Sequence, residues 1–209
     1  ITADVAHELC SPIARMQMAL GVVEQRSTPE QATYLQKLDR ELQHMAKLVE
    51  EVLAFTKAET IPERETPEDI DLRELLQNIL AREAPENGVK IEIGDVKLHS
   101  LRNALDRGIG NVVRNAVRYA KDLEITASST HSRVIIQIAD RGPGVPEEAL
   151  SRLFEPFYRP EAARGRNTGG SGLGLAITKR CIEACQGSIT AQNRESGGLV
   201  VSIEVPVAI

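Results

Sequence analysis

The strongest constraint in this sequence is a heptad seam. Leu35, Leu38, Leu42, Met45, Val49 and Val52 follow one another at spacings of 3, 4, 3, 4 and 3, which puts them along one edge of a helix. Upstream, Val5, Leu9, Pro12, Met16, Ala19 and Val23 repeat at 4, 3, 4, 3 and 4, with Ile13 and Leu20 widening the stripe. Between the two, Ser27-Thr28-Pro29-Glu30 reads as a turn and a helix start, with Thr28 as N-cap and Pro29 at the first helical position. Two amphipathic helices joined this way make an antiparallel hairpin. A lone hairpin leaves part of so broad an apolar stripe in water, so the pattern predicts that two copies pair as a four-helix bundle. Periodicity alone is equally consistent with a plain coiled coil that carries no chemistry.

After residue 58 the composition changes. Residues 59–69 (ETIPERETPED) hold five acids, one arginine and two prolines, the mark of a polar, proline-broken linker. Residues 70–209 mix helical and strand patterns. Helices are predicted over 71–84, 101–119 and 173–184, a strand over 89–93, a strand pair over 123–127 and 134–138, and a closing strand over 199–205. Hairpin-length connections and separate helices predict an α+β sandwich in place of a doubly wound sheet. The expected organisation is therefore 1–58, a helical hairpin; 59–69, a linker; and 70–209, an α/β sandwich domain. A net charge of −5 and a pI near 5.5 argue against nucleic acid as a partner. No apolar run approaches the roughly 18 residues of a membrane span, and there is no signal-peptide pattern. No membrane contact is expected of this stretch. Three cysteines are too few and too odd for a disulfide framework and fit a reducing compartment.

With Val5 at d and Leu9 at a, His7 falls at f, the most exposed heptad position. Glu8 adjoins it, and Ser11 shares its face one turn on. Pro12 sits inside the helix, deletes a backbone hydrogen bond to Glu8 and favours a local bend. An exposed histidine is usually only solvated surface, but a neighbouring carboxylate able to take its proton raises its chemical interest. In the second part, Asn111 and Asn115 lie four apart on one helix face, followed by Arg118 and Tyr119. An amide oxygen is a hard ligand suited to Mg²⁺, a guanidinium suits phosphate, and a phenol ring can stack on a base. Taken alone, the two asparagines are as readily a polar helix face.

Asp140-Arg141-Gly142-Pro143-Gly144 ends a strand with an acid and two glycines, which permit close backbone approach to a ligand while the acid accepts from an exocyclic amine. Such a turn is common by chance. Phe154-Glu155-Pro156-Phe157-Tyr158 gathers three of the six aromatic residues, with Phe154 expected to pin the base of the following segment to the core. Arg159 to Gly170, with Arg164 and Arg166, is polar and reads as a lid whose arginines reach phosphates. Gly170-Ser171-Gly172-Leu173-Gly174-Leu175 opens a helix, and a glycine-rich helix start is a phosphate site. It is not a Walker loop, because Ser171 stands where the lysine belongs. Nor is it a dinucleotide fingerprint, because no strand directly precedes it. Cys181 and Cys185 share one helix face with no His or Cys partner nearby and read as packing residues.

In combination and in order, these motifs resemble the transmitter core of two-component sensor histidine kinases over nearly the whole chain. His7-Glu8-Leu9 with Pro12 matches the phospho-acceptor box, Asn111 to Tyr119 the N box, Asp140 to Gly144 the first glycine box, Phe154 to Phe157 the F box, and Gly170 to Leu175 the second glycine box. The resemblance implies a homodimeric four-helix bundle carrying His7, joined to an ATP-binding domain of the gyrase-like (Bergerat) fold. It implies that Asn115 holds Mg²⁺ bridging the ATP phosphates, with Asn111 and Arg118 nearby. Asp140 would read the adenine amino group, Tyr119 would flank the ring, and Gly142, Gly144, Gly170, Gly172 and Gly174 would supply backbone room and donors. His7 would attack the γ-phosphate with Glu8 drawing off its proton, and the phosphoryl group would pass to an aspartate on the receiver domain of a response regulator. A cytoplasmic location is implied, in a full-length protein anchored to the inner membrane.

Three positions depart from the family pattern. Cys10 occupies a place that is usually basic. Ser11 stands where Thr or Asn positions water for dephosphorylating the regulator, a task a hydroxyl can also perform. Asn111 occupies the spacing at which gyrase-like hydrolases carry a glutamate, and a neutral amide cannot act as a general base toward water. That favours a kinase over a gyrase- or chaperone-type ATPase, and the completeness of the nucleotide motifs argues against the third reading, a degenerate kinase acting as a dimeric scaffold.

Overall fold

The computed structural model describes residues 2–58, 65–85, 88–120, 122–160 and 171–209, the side chains of residues 2–10, 29, 57 and 58 excepted. The chain forms two compact units, Ile1–Lys57 and Ala58–Ile209.

The first unit is the predicted pair of helices, α1 (Thr2–Glu24) and α2 (Pro29–Ala58). Pro12 lies inside α1 without ending it. The turn between them is built as its residues dictate. Thr28 Oγ1 accepts from Gln31 N–H at 3.4 Å while Gln31 Oε1 accepts from Thr28 N–H at 3.0 Å. This is a reciprocal capping box that satisfies two otherwise orphaned donors. Along α2 the apolar seam divides. Leu35, Leu42 and Val49 are half-buried, whereas Leu38 (54%), Met45 (47%) and Val52 (38%) are exposed. The exposed three recur every seven residues, so one heptad position of a single chain stays in water. Among the described residues of this unit, only Ile13 is fully buried.

The second unit contains a five-stranded mixed sheet of order β2-β4-β5-β7-β6 and a two-stranded sheet β1-β3. The strands are β1 (Glu68–Asp71), β2 (Val89–Ile93), β3 (Lys97–Ser100), β4 (Leu123–Ser129), β5 (Arg133–Asp140), β6 (Ser188–Asn193) and β7 (Leu199–Pro206). Only β2-β4 is parallel; β4-β5, β5-β7 and β7-β6 are antiparallel. Among the described residues its helices are α3 (Leu72–Glu83), α4 (Arg102–Tyr119), the single turn α5 (Glu147–Leu150) and α6 (Gly174–Ala184). Strict alternation buries Val134, Ile136 and Ile138 of β5 and Val201, Ile203 and Val205 of β7 on one face. That face joins Leu76 and Ile79 of α3, Leu105 and Ile109 of α4, and Ile177 and Ile182 of α6 in one core. It is a helix layer on a sheet, the sandwich that the sequence pattern predicts.

The structure also contains strands that carry no periodic signal. Glu68 and Asp69 fall in the predicted linker, yet they begin β1, paired with Ser100 and His99. Glu65 accepts from the N–H groups of Asn103 at 2.5 Å and Ala104 at 3.3 Å. It thereby caps α4, whose own N-cap residue Leu101 has no side-chain hydrogen bond. The segment expected to close the sheet, β7, lies inside it, and the polar β6 is the edge. Among the described residues no helix is long and apolar enough to cross a membrane.

Candidate active site

α4 and α6 approach closely because two of their contact residues are small. A Cβ on Gly108 would meet Cys181 and Ile182 at 3.3 Å. Thr178, fully buried, donates from its hydroxyl toward Gly108 O and Gly174 O, both at 3.1 Å. At the far end of α6, Cys185 Sγ lies 3.9 Å from Leu101 O, at the start of α4. These contacts make the helices antiparallel, so the first turn of α6 faces the second half of α4, which carries Asn111, Asn115, Arg118 and Tyr119. All four side chains are half-buried. Asn111 Oδ1 accepts from Arg114 Nη1 at 2.9 Å, whereas Asn115 has no hydrogen-bond partner among the described residues.

The first turn of α6 leaves backbone donors without an acceptor among the described residues. Leu173 N–H is taken by Ser171 Oγ at 3.1 Å, and Ile177 N–H closes the first helical bond to Leu173 O at 2.8 Å. The N–H groups of Gly174, Leu175 and Ala176 therefore have no intrahelical acceptor, and the helix dipole adds positive potential there. The Leu173 side chain is fully buried, so only its backbone belongs to the site. Gly172 has φ +79°, and a Cβ on it would meet Phe157 C and Tyr158 O at 2.8 Å. Phe157 is itself left-handed (φ 63°) and 61% exposed, while Leu153 is the buried anchor of its segment. Phe154 is only half-buried. The expected anchoring role thus falls mainly to Leu153, an apolar neighbour without the aromatic signal.

Asp140 ends β5 and is 6% exposed. Its Oδ1 accepts from Gly142 N–H at 2.8 Å and Leu199 N–H at 3.2 Å, and Oδ2 has no partner among the described residues. A buried carboxylate with one oxygen fully engaged and the other open is fixed in direction and ready for a donor. Gly142 is required here, because a Cβ would lie 2.9 Å from Asp140 Oδ1 and 3.1 Å from Tyr119 O. The same contact places the Asp140 turn against the end of α4. The second half of α4, the Asp140–Gly144 turn and the start of α6 thus border one region, with an acid at one part and, at another, N–H groups without an acceptor among the described residues.

Two supporting residues escape sequence analysis. Asn193 at the end of β6 bonds Val145 twice, accepting from its N–H at 3.0 Å and donating to its O at 2.7 Å. This fixes the chain just after Gly144. Gly198 (φ +106°) packs so tightly that a Cβ would lie 2.0 Å from Asp140 O. A Gly-Gly pair such as Gly197-Gly198 is a turn signal in its own right, whereas nothing local points to Asn193.

Ser11, on α1, accepts from Arg15 Nη1 at 2.6 Å. His7 and Glu8 also lie on α1, and their side chains fall outside the described ones. Arg164, Arg166 and Gly170 lie outside the described residues. Cys181 and Cys185 are fully buried. Burial pushes the Cys181 thiol up to about 12, as suits an inert packing residue.

Residues 100–209 match the family model of histidine kinase-, DNA gyrase B- and HSP90-like ATPases, and residues 1–61 match the His Kinase A (phospho-acceptor) domain. The chain is 30% identical over 215 residues to sensor histidine kinase CpxA of Escherichia coli, covering 99% of this chain and 46% of that protein. It is 31% identical to the signal transduction histidine-protein kinase BaeS of the same organism, covering 98% and 46%. Full-length ShkA, solved in complex with AMPPNP, superposes with a TM-score of 0.74 at 27% identity over 98% of this chain and 45% of that one. The chain spans about half the length of the curated relatives it matches.

Proposed function

This chain belongs to the two-component sensor histidine kinases as a transmitter core, and from that membership we propose that it phosphorylates its own His7 from ATP and passes the phosphoryl group to an aspartate of a response regulator. The observation that carries this reading is the open Asp140 oxygen beside α4 and the uncapped start of α6, in one chain with a phospho-acceptor helix. In this assignment Asp140 Oδ2 accepts from the adenine amino group and Tyr119 flanks the ring. The free N–H groups of Gly174 and Leu175, together with Arg118, bind phosphate oxygens, and Gly142, Gly144 and Gly172 let the backbone come close. Ser171 is assigned to the phosphates as well, and the same role is proposed for Gly170, Arg164 and Arg166 on the family resemblance alone.

Asn115 fits a divalent cation: its amide oxygen is hard, neutral and unpartnered, and Mg²⁺ characteristically takes one or two protein oxygens beside substrate phosphates. Bound there, Mg²⁺ would neutralise phosphate charge. In the proposed step an imidazole nitrogen of His7 attacks the γ-phosphorus in line. The N–P bond forms as the bond to the β,γ-bridging oxygen breaks, ADP leaves with that electron pair, and the imidazole proton passes to Glu8. The protein's contribution is mainly positioning and charge stabilisation.

The exposed row of Leu38, Met45 and Val52 supports a homodimer in which two hairpins complete a four-helix bundle. Ser11 is the residue proposed to orient water for dephosphorylating the regulator; Arg15 occupies its oxygen as an acceptor and leaves its own proton to donate. A place on the cytoplasmic side of a membrane-anchored sensor is proposed from the family resemblance.

Incubation with γ-labelled ATP and Mg²⁺ tests the reading. Acid-labile, alkali-stable label on the parent and none on His7→Ala is the expected result. An unlabelled parent whose phosphate release survives His7→Ala would overturn it in favour of a plain ATPase.

A further inference from the structure

We propose that Arg114 is a positioning residue that fixes Asn111 as a hydrogen-bond donor to the nucleotide phosphates, leaving metal ligation at the two asparagines to Asn115. The proposal rests on the nucleotide site described above. A guanidinium has five donors and no acceptor, so the Asn111 atom 2.9 Å from Arg114 Nη1 must be the amide oxygen. The opposite end of the amide, Nδ2, has no hydrogen-bond partner among the described residues.

Arg114 is not an idle surface cation. Its Nε and Nη2 donate to Glu83 Oε2 and Oε1, both at 2.8 Å, a bidentate fork that fixes the plane of the guanidinium. Glu83, whose side chain is 8% exposed, also accepts from Arg82 Nε at 2.9 Å. Arg82 in turn reaches Asp106 of α4 at 2.9 Å. The end of α3 therefore holds Arg114 from below, and Arg114 holds Asn111. An amide oxygen that already accepts from a full positive charge is a poor place for a second cation, since the two charges repel across one neutral atom. Asn115, one turn on along the same helix, carries no such bond. The N–H₂ group of Asn111 is left to donate to an anionic oxygen, the part its neighbour cannot play while ligating metal.

ATP affinity of the whole 209-residue chain, measured by titration calorimetry in excess Mg²⁺ and again in EDTA, separates donor from ligand. A donor to phosphate contributes in both conditions; a metal ligand contributes only with Mg²⁺. Arg114→Ala should weaken ATP about 5–10-fold, the net scale of one ordinary hydrogen bond because the Asn111 amide stays in place but loses its fixed orientation, by the same factor in Mg²⁺ and EDTA. Combined with Asn111→Ala it should add little to that single change, while Asn115→Ala should lose affinity only with Mg²⁺. Asn111→Asp is the second arm, because it keeps the oxygen on Arg114 and replaces the donor by an acceptor. It should lose affinity in both conditions, whereas gained Mg²⁺-dependent affinity would mark Asn111 as a metal ligand and overturn the proposal. Additive losses, a loss confined to Mg²⁺, or unchanged affinity in Arg114→Ala would overturn it as well. A parent that binds no ATP in either condition would instead refute the nucleotide site itself.

Discussion

Replacing Glu83 by glutamine tests the claim that one buried carboxylate holds the end of α3 to α4. Glu83 receives three hydrogen bonds, from Arg82 Nε and from Arg114 Nε and Nη2, at 2.8–2.9 Å. The two arginine side chains are 50% and 56% exposed, so the attraction each contributes is screened to at most about 1 kcal/mol. The carboxylate is another matter, because it has given up its water, and charge-assisted bonds to such a group are worth about 1.5–3 kcal/mol each before compensation. Glutamine keeps the shape and one acceptor but turns an N–H₂ group toward a guanidinium that can only donate. With partial re-solvation of both arginines, the net loss should be about 2 kcal/mol, or about 30-fold in the opening equilibrium of the second unit. Cys181 and Cys185, both fully buried, report that opening directly. In a Cys10→Ser background, their labelling by a thiol reagent under native conditions, with reclosing faster than labelling, follows the open population. Labelling about 30-fold faster in Glu83→Gln is the expected result. A rate within about 3-fold of the parent would show that the network contributes less than about 0.7 kcal/mol and refute the reasoning.

Desolvation pushes the Glu83 carboxyl upward, but hydrogen bonds from Arg114 and Arg82 outweigh it and hold the group below its ordinary value of 4.5. A depressed folded-state value means stability fully present above the ordinary value and lost as pH falls through the lower one. Urea midpoints of the parent should therefore drop below about pH 4.5 more steeply than those of Glu83→Gln. Asp140→Asn can still accept from Gly142 and Leu199 N–H through Oδ1 while presenting an N–H₂ in place of Oδ2. It should keep its melting temperature within a few degrees and lose ATP affinity about 100-fold or more, because donor then faces donor. Gly198→Ala places a Cβ 2.0 Å from Asp140 O at a φ of +106°, an unavoidable backbone clash. It should destabilise the second unit by more than about 4 kcal/mol, seen as lost soluble yield or a collapsed melting transition.

Much of this protein is legible in its order of residues. The helices α1, α2, α3, α4 and α6 follow from periodicity, and the Thr28–Gln31 box and Pro29 mark the start of α2, because these are interactions within a turn or two of chain. The motif series from His7 to Leu175 is likewise a linear pattern, and it was enough to assign the family. Gly142 and Gly172 were visible as glycines, though not the contacts that demand them.

The rest depends on which distant segments meet. β1, β3 and β6 carry little apolar alternation of their own, and pairing across the fold makes them strands. Glu65 caps a helix almost forty residues further on, from inside a stretch that composition marks as linker. The orientation of Asn111 is set by an arginine three residues away, and that arginine by a glutamate on another helix. Periodicity and propensity record what a residue does to its neighbours in the chain; hydrogen-bond direction, burial and the open oxygen of Asp140 are properties of neighbours in space. The sequence therefore determined the helices, the apolar strands and the chemistry they carry, and tertiary packing decided the polar strands and which way each polar group points.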